Sequence, residues 1–332
     1  IGTVDHLKNP SLVYIRNYFE TYYVPNNMGI FMSGDIDIEA TIALISEKFA
    51  HWESKPVADV GPWVEQPLQG AERRTVQYPG EEQVQIAFRT AANASSEKEA
   101  LIMVDMILDN RTAGLINLNL NQQQLVAGAG SSPLFLNDYG LQQLYGVPKR
   151  DQSLEEVEQL LLDQIEIIKA GDFEDWIIPA IINDFKKNEK ASQEFNTARV
   201  SMMRTAFIEG AEWDHHIAEI QRMEQLTKQD VIDAANKHFG DDYVAVYRVD
   251  AQHEVPPVEK PQIDPVTIDP TRQSEFASQV LAMNYSEIEP SFVEVDSDYR
   301  VVEFADGVEL YYAPNPLNDL FTFSINVEVG TE

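Results

Sequence analysis

The sequence predicts an α+β fold in which helices pack on one face of a mainly antiparallel sheet. Residues 73–78 and 83–90 are predicted strands on either side of the turn residues Pro79 and Gly80. In the second strand apolar and polar side chains alternate, which is typical of a strand buried on one side only. Residues 152–239 instead repeat apolar positions every three or four residues, as amphipathic helices do. Strands alternating with groups of helices, closed by a final strand, are the order expected of this class.

Several helix starts carry a capping signal. In a capping box, a Ser or Thr side chain and an acidic or amide side chain three residues later satisfy each other's free backbone N–H groups. The predicted capping boxes are Ser96 with Glu99, Ser153 with Glu156, and Thr227 with Asp230.

Two further elements are predicted in the second half of this region. A helix is predicted at residues 172–190, and Pro179 either kinks it or lies in its first turn. The closing strand is predicted at residues 243–249.

The middle of the sheet region gives weaker signals. Residues 115–120 and 124–129 fit either a strand or a helix. The Gly- and Ser-rich residues 128–132 lack the Gly-Lys-Ser/Thr ending of a phosphate-binding loop. We therefore predict an ordinary loop at residues 128–132.

The N-terminal part predicts a helix, a turn, a strand and a second helix. Pro25 opens a turn, because its ring fixes φ and the Asn residues after it tolerate turn conformations. Residues 28–33 are a short apolar run and predict a buried strand. Asp35 or Asp37 then caps an amphipathic helix that ends near Phe49.

The C-terminal part begins with a proline-rich, acidic stretch. Residues 251–299 predict an extended linker with one short helix at residues 274–283, because prolines interrupt regular structure. The Asp306-Gly307 pair between two apolar runs predicts a β-hairpin. Residues 320–329 predict a further strand.

Composition narrows the classes of function. The formal net charge is -31, and a field of that sign repels phosphate backbones, so no nucleic-acid partner is expected. The chain has no cysteine, which excludes disulfides and thiolate metal sites. No apolar run is long enough for a membrane span. The negative net charge could be spread over the whole surface, or it could form an acidic funnel for cationic substrates. We favour a charge spread over the surface.

Residues 22–49 resemble the end of the first domain in M16 (pitrilysin and insulinase-like) zinc metallopeptidases. The resemblance lies in an aromatic pair, Pro-Asn-Asn-Met, a strand, Gly-Asp and a helix that ends in Phe49 before Trp52. The order and spacing of further segments extend it over nearly the full chain. These segments are residues 1–3 with 11–23, 113–115, 160–176, 226–230 and 315–321.

The resemblance implies a LuxS/MPP-like metallohydrolase fold and an internal portion of a larger enzyme. Residues 1–62 would be the C-terminal part of one M16-like domain and residues 63–250 a second domain. Residues 251–299 would be the linker between two halves, and residues 300–332 the first strands of a third domain. The sequence begins mid-pattern at residue 1 and ends inside a strand-like run, as an excised piece would.

In that family two bowl-shaped halves enclose and hydrolyse unfolded peptides, so peptide or unfolded protein is the implied substrate of the parent. This portion would form chamber wall and linker. The alternative is a non-catalytic M16-like subunit that binds peptides or a partner, and an unrelated α+β scaffold is a third possibility. The compartment stays open between bacterial periplasm and cytoplasm. A homo-oligomer could form through the terminal strands, residues 28–33 and 301–329.

The catalytic chemistry of the family requires H-x-x-E-H, whose spacing lets two imidazoles share one zinc ion. None of the six histidines stands in that motif. The nearest approach is His215, His216 and Glu219, where Ile220 takes the place of the second histidine. We therefore expect no catalytic, metal-binding or cofactor-binding residue here, zinc only in the intact parent, and no activity of this chain alone.

Overall fold

A computed structural model describes residues 2–58, 61, 63–110, 112–252, 257–262, 264–285 and 287–327. The chain forms two compact units, one of Val13–Pro256 and one of Ile1–Leu12 with Pro257–Glu332. Within the described residues, no helix combines the length and the apolar composition that crossing a membrane requires.

The helices and strands are numbered in chain order. A 3-10 turn at Pro25–Asn27 and a π-helix at Ile116–Asn121 add to them. The helices are α1 (Val4–Lys8), α2 (Leu12–Tyr22), α3 (Ile38–Phe49), α4 (Lys98–Leu108), α5 (Leu154–Lys169), α6 (Ile177–Ser192), α7 (Asn196–Glu209), α8 (Trp213–Ile217), α9 (Glu219–Met223), α10 (Lys228–His238) and α11 (Glu275–Leu281). The strands are β1 (Glu72–Gln77), β2 (Gln83–Thr90), β3 (Gly128–Phe135), β4 (Gly140–Val147), β5 (Tyr243–Val249), β6 (Arg300–Ala305) and β7 (Val308–Tyr312).

The larger unit contains a five-stranded sheet in the order β1-β5-β2-β4-β3. Neighbouring strands are antiparallel except for β1 and β5, which run parallel. In the register, Ile86 of the central strand β2 lies opposite Leu144 of β4 and Ala245 of β5. The predicted α+β class with a mainly antiparallel sheet is confirmed.

Helices cover one face of this sheet. Val84, Ile86 and Phe88 on β2 are fully buried and belong to the same core as buried side chains of α4, α5 and α10. Phe88 packs edge-on against Phe239, with ring centroids 5.3 Å apart. Burial of this alternating set stabilises the fold, because each large apolar side chain removed from water contributes about 2 kcal/mol.

Two of the three predicted capping boxes are confirmed. Ser153 with Glu156 and Thr227 with Asp230 each make both reciprocal hydrogen bonds. The third is wrong: α4 begins without a side-chain cap, and Glu99 is buried and accepts a hydrogen bond from Arg222 of α9 at 2.8 Å. A tertiary ion pair therefore replaces the local cap.

The predicted loop at residues 128–132 is wrong. These residues form the start of strand β3. The missing side chains of Gly128 and Gly130 do not prevent pairing, because β4 provides a full antiparallel ladder from Gly128 to Phe135. Residues 115–120, for which strand and helix both remained open, lie mostly in the π-helix.

Residues 28–33 do not form the predicted strand. Met28 has extended backbone angles, but within the described residues no strand pairs with this segment. A strand needs a partner for its N–H and C=O groups, and here side chains make the contacts instead. Phe31 lies against Phe207, with ring centroids 5.5 Å apart, and Ser33 Oγ donates to Asn196 Oδ1 at 2.9 Å.

Helix α6 begins at Ile177 rather than near residue 172, and Pro179 lies in its first turn. In the other unit, the predicted hairpin forms from β6 and β7 around Gly307, whose φ of 76° suits a glycine. The short helix expected in the proline-rich stretch is α11. Residues 320–327 are not a strand.

The β3–β4 hairpin allows a direct test of the packing. A Cβ on Gly140 would overlap the carbonyl oxygen of Ala91 and lie 2.5 Å from Thr90 Oγ1, whereas a Cβ on Gly128 would meet no heavy atom within 4 Å. We expect Gly140→Ala to lower the free energy of unfolding by about 1–3 kcal/mol and Gly128→Ala to change it by less than about 0.5 kcal/mol. Urea unfolding measures both, and equal losses would contradict this packing.

Candidate functional site

The sheet face opposite the helices is the candidate site. Side chains alternate between the two faces of a strand, so the residues between the buried ones point to this open face. Gln85 and Gln143 are exposed there. A shallow depression of about 180 Å³ lies in the face. Its lining residues are Gln83, Gln85, Ile86, Ala87, Ser132, Gln143, Leu144, Tyr145, Val244 and Val246.

The lining of this depression carries no charged side chain, although the chain has a net charge of -31. Amide side chains of glutamine both donate and accept hydrogen bonds. By strand alternation Arg74, Arg89 and Arg248 lie on the same face, and Glu72 does too. Arg74 pairs with Glu72 and Arg89 pairs with Glu65, so the charges on the open face largely balance within an acidic protein.

A second depression, of about 250 Å³, lies between the end of α4 and the start of α6, on the helical side. Trp176, 60% exposed, and Asp184 are among its lining residues. Its other lining side chains are mainly apolar. Nothing in this second depression offers the repeated amide groups of the open face.

One buried carboxylate ties three elements of the sheet domain together. Glu158 of α5 is only 3% exposed. It accepts hydrogen bonds from Arg73 Nη2 of β1 at 2.6 Å, Tyr243 Oη at 2.6 Å and Tyr247 Oη at 2.5 Å, both tyrosines being on β5. We call these four residues the Glu158 cluster. It fixes the parallel pair β1–β5 to the helical layer.

Burial and hydrogen bonding within the Glu158 cluster keep its carboxylate charged and its two phenols neutral around neutral pH. Burial raises the pKa of Glu158, but hydrogen bonds from Arg73, Tyr243 and Tyr247 outweigh burial and hold that pKa below its ordinary value. Burial, followed by the hydrogen bond to Glu158, raises the pKa of each tyrosine to about 12. The cluster is therefore an ion pair with two neutral phenols around neutral pH, which suits a structural role.

A second buried carboxylate joins α4 to strands β3 and β4. Asp105 accepts hydrogen bonds from Ser131 Oγ at 2.7 Å and Gln142 Nε2 at 2.6 Å. Burial raises the pKa of Asp105 above its ordinary value despite these bonds, and the charge of Asp109 adds to the rise. Asp105 is therefore a buried carboxylate that joins three elements of the domain and not a solvated charge at a helix end.

The sequence motif nearest to a zinc site does not form a common helix face. Ala218 has ψ of 9° and separates α8 from α9, so His216 and Glu219 lie on different helices. His216 Nδ1 is 3.6 Å from Glu209 Oε2, and Glu219 Oε2 is 3.6 Å from Lys98 Nζ.

His215 completes that motif, and its carbonyl oxygen accepts a hydrogen bond from Arg222 Nη1 at 2.5 Å. Within the part of the chain that the structure describes, no group of three or more His, Cys, Asp or Glu residues could hold a metal ion. His253 lies outside that part. The structure thus places His215, His216 and Glu219 in separate contacts and not around a common point.

The sequence alone does not reveal the open face, although the alternation of side chains along β2 points to it. The alternation of residues 83–90 placed Gln83 and Gln85 on one side of β2, but only the positions of the helices show that this side is uncovered. Ser132 and Gln143 join them through the β3–β4 pairing, which the sequence did not predict.

Comparison with known proteins gives a consistent fold family. Residues 12–185 match the family model described as Peptidase M16 inactive domain. The structure is similar to a protease from Helicobacter pylori, with a TM-score of 0.68 and 18% sequence identity over 75% of this chain. It is also similar to a peptidase M16 inactive domain from Pseudomonas fluorescens, with a TM-score of 0.63 and 17% identity over 77% of this chain. No curated protein matches the sequence.

The chain is shorter than these similar structures. It spans 61% of the length of each of the two chains just described. It also covers 38% of the periplasmic protease PqqL from Escherichia coli, with a TM-score of 0.60 and 14% identity over 95% of this chain. At these identities the likeness shows the fold alone.

The Glu158 cluster predicts a pH dependence of stability. The folded pKa of Glu158 lies below its ordinary value, so its stabilisation is complete above the unfolded pKa of about 4.3 and is lost as pH falls through the folded pKa. At pH 7 we expect Glu158→Gln to lower the free energy of unfolding by about 3 kcal/mol. The difference from the unsubstituted protein should narrow below about pH 4.

Urea unfolding at several pH values measures this difference. Glu155→Gln, an exposed position on the same helix, is the matched control and should change stability by less than about 0.5 kcal/mol. A loss for Glu158→Gln that is the same at every pH would contradict the role of its charge.

Proposed function

The chain belongs to the family of M16 peptidase inactive domains, and from this we propose that it is a non-catalytic portion of an M16-like zinc metallopeptidase that hydrolyses unfolded peptides. In this proposal residues 63–250 form a wall that contacts peptide, and residues 251–299 are a linker. The observation that supports it is the open sheet face, with its uncharged, amide-rich depression in a protein of net charge -31.

The chemistry of the depression suits an unfolded peptide better than a charged small molecule. An unfolded peptide presents a backbone N–H and C=O at almost every residue. Gln83, Gln85 and Gln143 offer amides that match both groups, and Val244 and Val246 offer apolar surface between them. None of these groups selects a particular charge, so the face would accept many sequences.

The residues described here do not fit a zinc ion. They contain no group of three or more His, Cys, Asp or Glu side chains that could hold a metal, and His216 and Glu219 face other partners. We therefore assign no step of peptide hydrolysis to this chain. Zinc belongs, in this proposal, to another part of the parent protein.

Exposed apolar side chains support the proposal that the N-terminal segment belongs to a preceding M16-like domain. Ile15 and Phe19 on α2 are 54% and 56% exposed, and Ile42 on α3 is 55% exposed. Amphipathic helices normally bury such residues. A neighbouring domain of the parent would cover them, and residues 300–332 would begin a third domain.

The rival function is a non-catalytic M16-like subunit that holds peptides or a peptidase partner. The absence of a metal-ligand group in the described residues supports it as well as the first proposal. An intact H-x-x-E-H motif in the parent protein favours the enzyme, and a degraded motif favours the binding subunit.

Peptide binding by the open face can be tested with Gln85→Glu and Gln143→Glu introduced together. Carboxylates cannot donate hydrogen bonds, and each lost bond costs about 1 kcal/mol, so we expect the dissociation constant to rise at least about tenfold. Fluorescence anisotropy with a labelled, unfolded peptide of zero net charge measures it.

Gln159→Glu makes the same chemical change on α5, the exposed helical side of the domain. We expect it to leave the dissociation constant unchanged within about twofold, since surface changes away from the site have small effects. Equal weakening by the open-face pair and by the α5 variant would refute binding at the open face.

A further inference from the structure

Ala87 leaves a gap at the centre of the open face. It lies on β2, the central strand of the sheet, and the register places it directly opposite Gln143 of β4 and Val244 of β5. Gln85 and Arg89 lie before and after it on the same face of β2. Larger side chains therefore surround a single methyl group. The depression of about 180 Å³ lies over Ala87, with Gln85, Gln143 and Val244 in its lining.

The floor of the gap is main chain and the methyl group of Ala87. Ile86 and Leu144 also line the depression, but their side chains belong to the core on the other side of the sheet. By strand alternation, only their main-chain atoms reach the open face. Strand β2 pairs with a strand on each side, so the N–H and C=O groups of its main chain are used within the sheet. The floor therefore offers a bound group no free hydrogen-bonding partner, which favours an apolar occupant.

The sides of the gap carry no charge. Val244 and Val246 form an apolar wall along β5. The amides of Gln85 and Gln143 flank the gap and can bond to the backbone of a bound peptide. A lysine or carboxylate side chain placed in the gap would lose its hydration without a charged partner among the lining residues.

Tyr145 forms an end wall of the gap and does not fill it. In the register it lies opposite Gly130 of β3. A Cβ added to Gly130 would be 2.7 Å from Tyr145 Cε1 and 3.1 Å from its Oη, so the ring extends over β3. The space over Ala87 therefore stays empty. Tyr145 lines the depression and is 44% exposed, so its ring is accessible to an occupant.

The gap has the width of an aromatic ring. Neighbouring strands lie about 4.8 Å apart, so the main chains of Gln143 and Val244 are separated by about 10 Å. Carbon atoms in contact are about 3.5–4.0 Å apart, and a flat ring held between two walls therefore needs about 7–8 Å. An alanine side chain would leave most of the gap unfilled and would forgo those contacts.

We propose that this gap binds a single aromatic side chain of the peptide that lies on the open face. We call the gap the Ala87 socket, formed by Ala87, Gln85, Gln143, Tyr145 and Val244. An aromatic side chain removes a large apolar area from water and can pack edge-on or offset against the ring of Tyr145. It has few rotatable bonds, so it loses little conformational entropy when it is held.

The inference rests on the proposed function and specifies its substrate class. The lining of the Ala87 socket does not select a charge, so the open face still accepts many sequences. Those sequences share one aromatic residue, which anchors the peptide. The glutamines beside the socket would then bond to the peptide backbone on either side of the anchor.

The first test compares two peptides on the full 332-residue chain. One is a short synthetic peptide of threonine and serine with blocked ends and a central phenylalanine, and the other has alanine in place of the phenylalanine. We expect the phenylalanine peptide to bind about tenfold more tightly, because only its ring fills the socket. Fluorescence anisotropy measures both dissociation constants.

Ala87→Leu fills the socket from the protein side. We expect it to weaken binding of the phenylalanine peptide about tenfold and to change binding of the alanine peptide by less than about twofold. The variant should therefore bind the two peptides almost equally. Urea unfolding confirms that the variant is folded, and the comparison of the two peptides separates a filled socket from a general disturbance of the sheet.

Ala180→Leu is the matched control. It makes the same chemical change at an exposed position in the second depression, on the helical side. We expect it to leave both dissociation constants unchanged within about twofold. A preference for phenylalanine that Ala180→Leu abolishes and Ala87→Leu preserves would overturn the inference.

A photoreactive diazirine derivative of phenylalanine at the central position locates the ring without any substitution in the protein. We expect mass spectrometry to find the crosslinks at residues that line the socket, on β2, β4 and β5. Crosslinks confined to Trp176 and the start of α6 would assign the ring to the second depression and overturn the inference.

The outcomes separate this inference from the proposed function. If both peptides bind the unsubstituted chain equally, and Gln85→Glu with Gln143→Glu weakens both, the open face binds peptide and the socket inference alone fails. If neither peptide binds the chain, the proposed function fails and the socket inference fails with it.

Discussion

The alternation of side chains along β2 is the constraint on which the domain depends. Val84, Ile86 and Phe88 point to one side and are fully buried, so α4, α5 and α10 must cover that side. Gln83 and Gln85 point to the other side, which the helices leave open. A shift of one residue in the register of β2 would exchange the two faces. The core and the candidate peptide-binding surface are thus two consequences of one pattern.

The parallel pairing of β1 with β5 is the part of the sheet that needs additional support. A parallel pair is slightly less stable per residue than an antiparallel pair, and all of β1 is exposed. Glu158 compensates, because its buried carboxylate collects donors from Arg73 on one strand and from Tyr243 and Tyr247 on the other. An ion pair with satisfied partners fixes where β1 lies.

Local patterns in the sequence predicted the local structure well. The alternation of residues 83–90, the capping boxes at Ser153 and Thr227, and the Asp306-Gly307 turn each act over a few residues, and the structure has all of them. The failures depend on distant partners. The predicted cap at Ser96 is lost because Glu99 pairs with Arg222, which is 123 positions away in the sequence.

The same limit explains what the sequence revealed of the candidate site. Residues 128–132 become a strand only because β4 lies beside them, and residues 28–33 have no strand partner among the described residues. The glutamines of the open face come from strands that meet only in the folded domain. The spacing of histidines, by contrast, is local, and the absence of H-x-x-E-H is read directly from the sequence.

The central claim is that this M16-family domain holds peptide without cleaving it. Mass spectrometry of a labelled unfolded peptide, after incubation with the chain and separation of the complex by size-exclusion chromatography, tests that claim most directly. Parallel samples contain added zinc or a chelator. We expect the peptide to elute with the chain and to be recovered intact in both samples. Cleavage fragments that appear with zinc and disappear with the chelator would contradict the account, as would a peptide that never elutes with the chain.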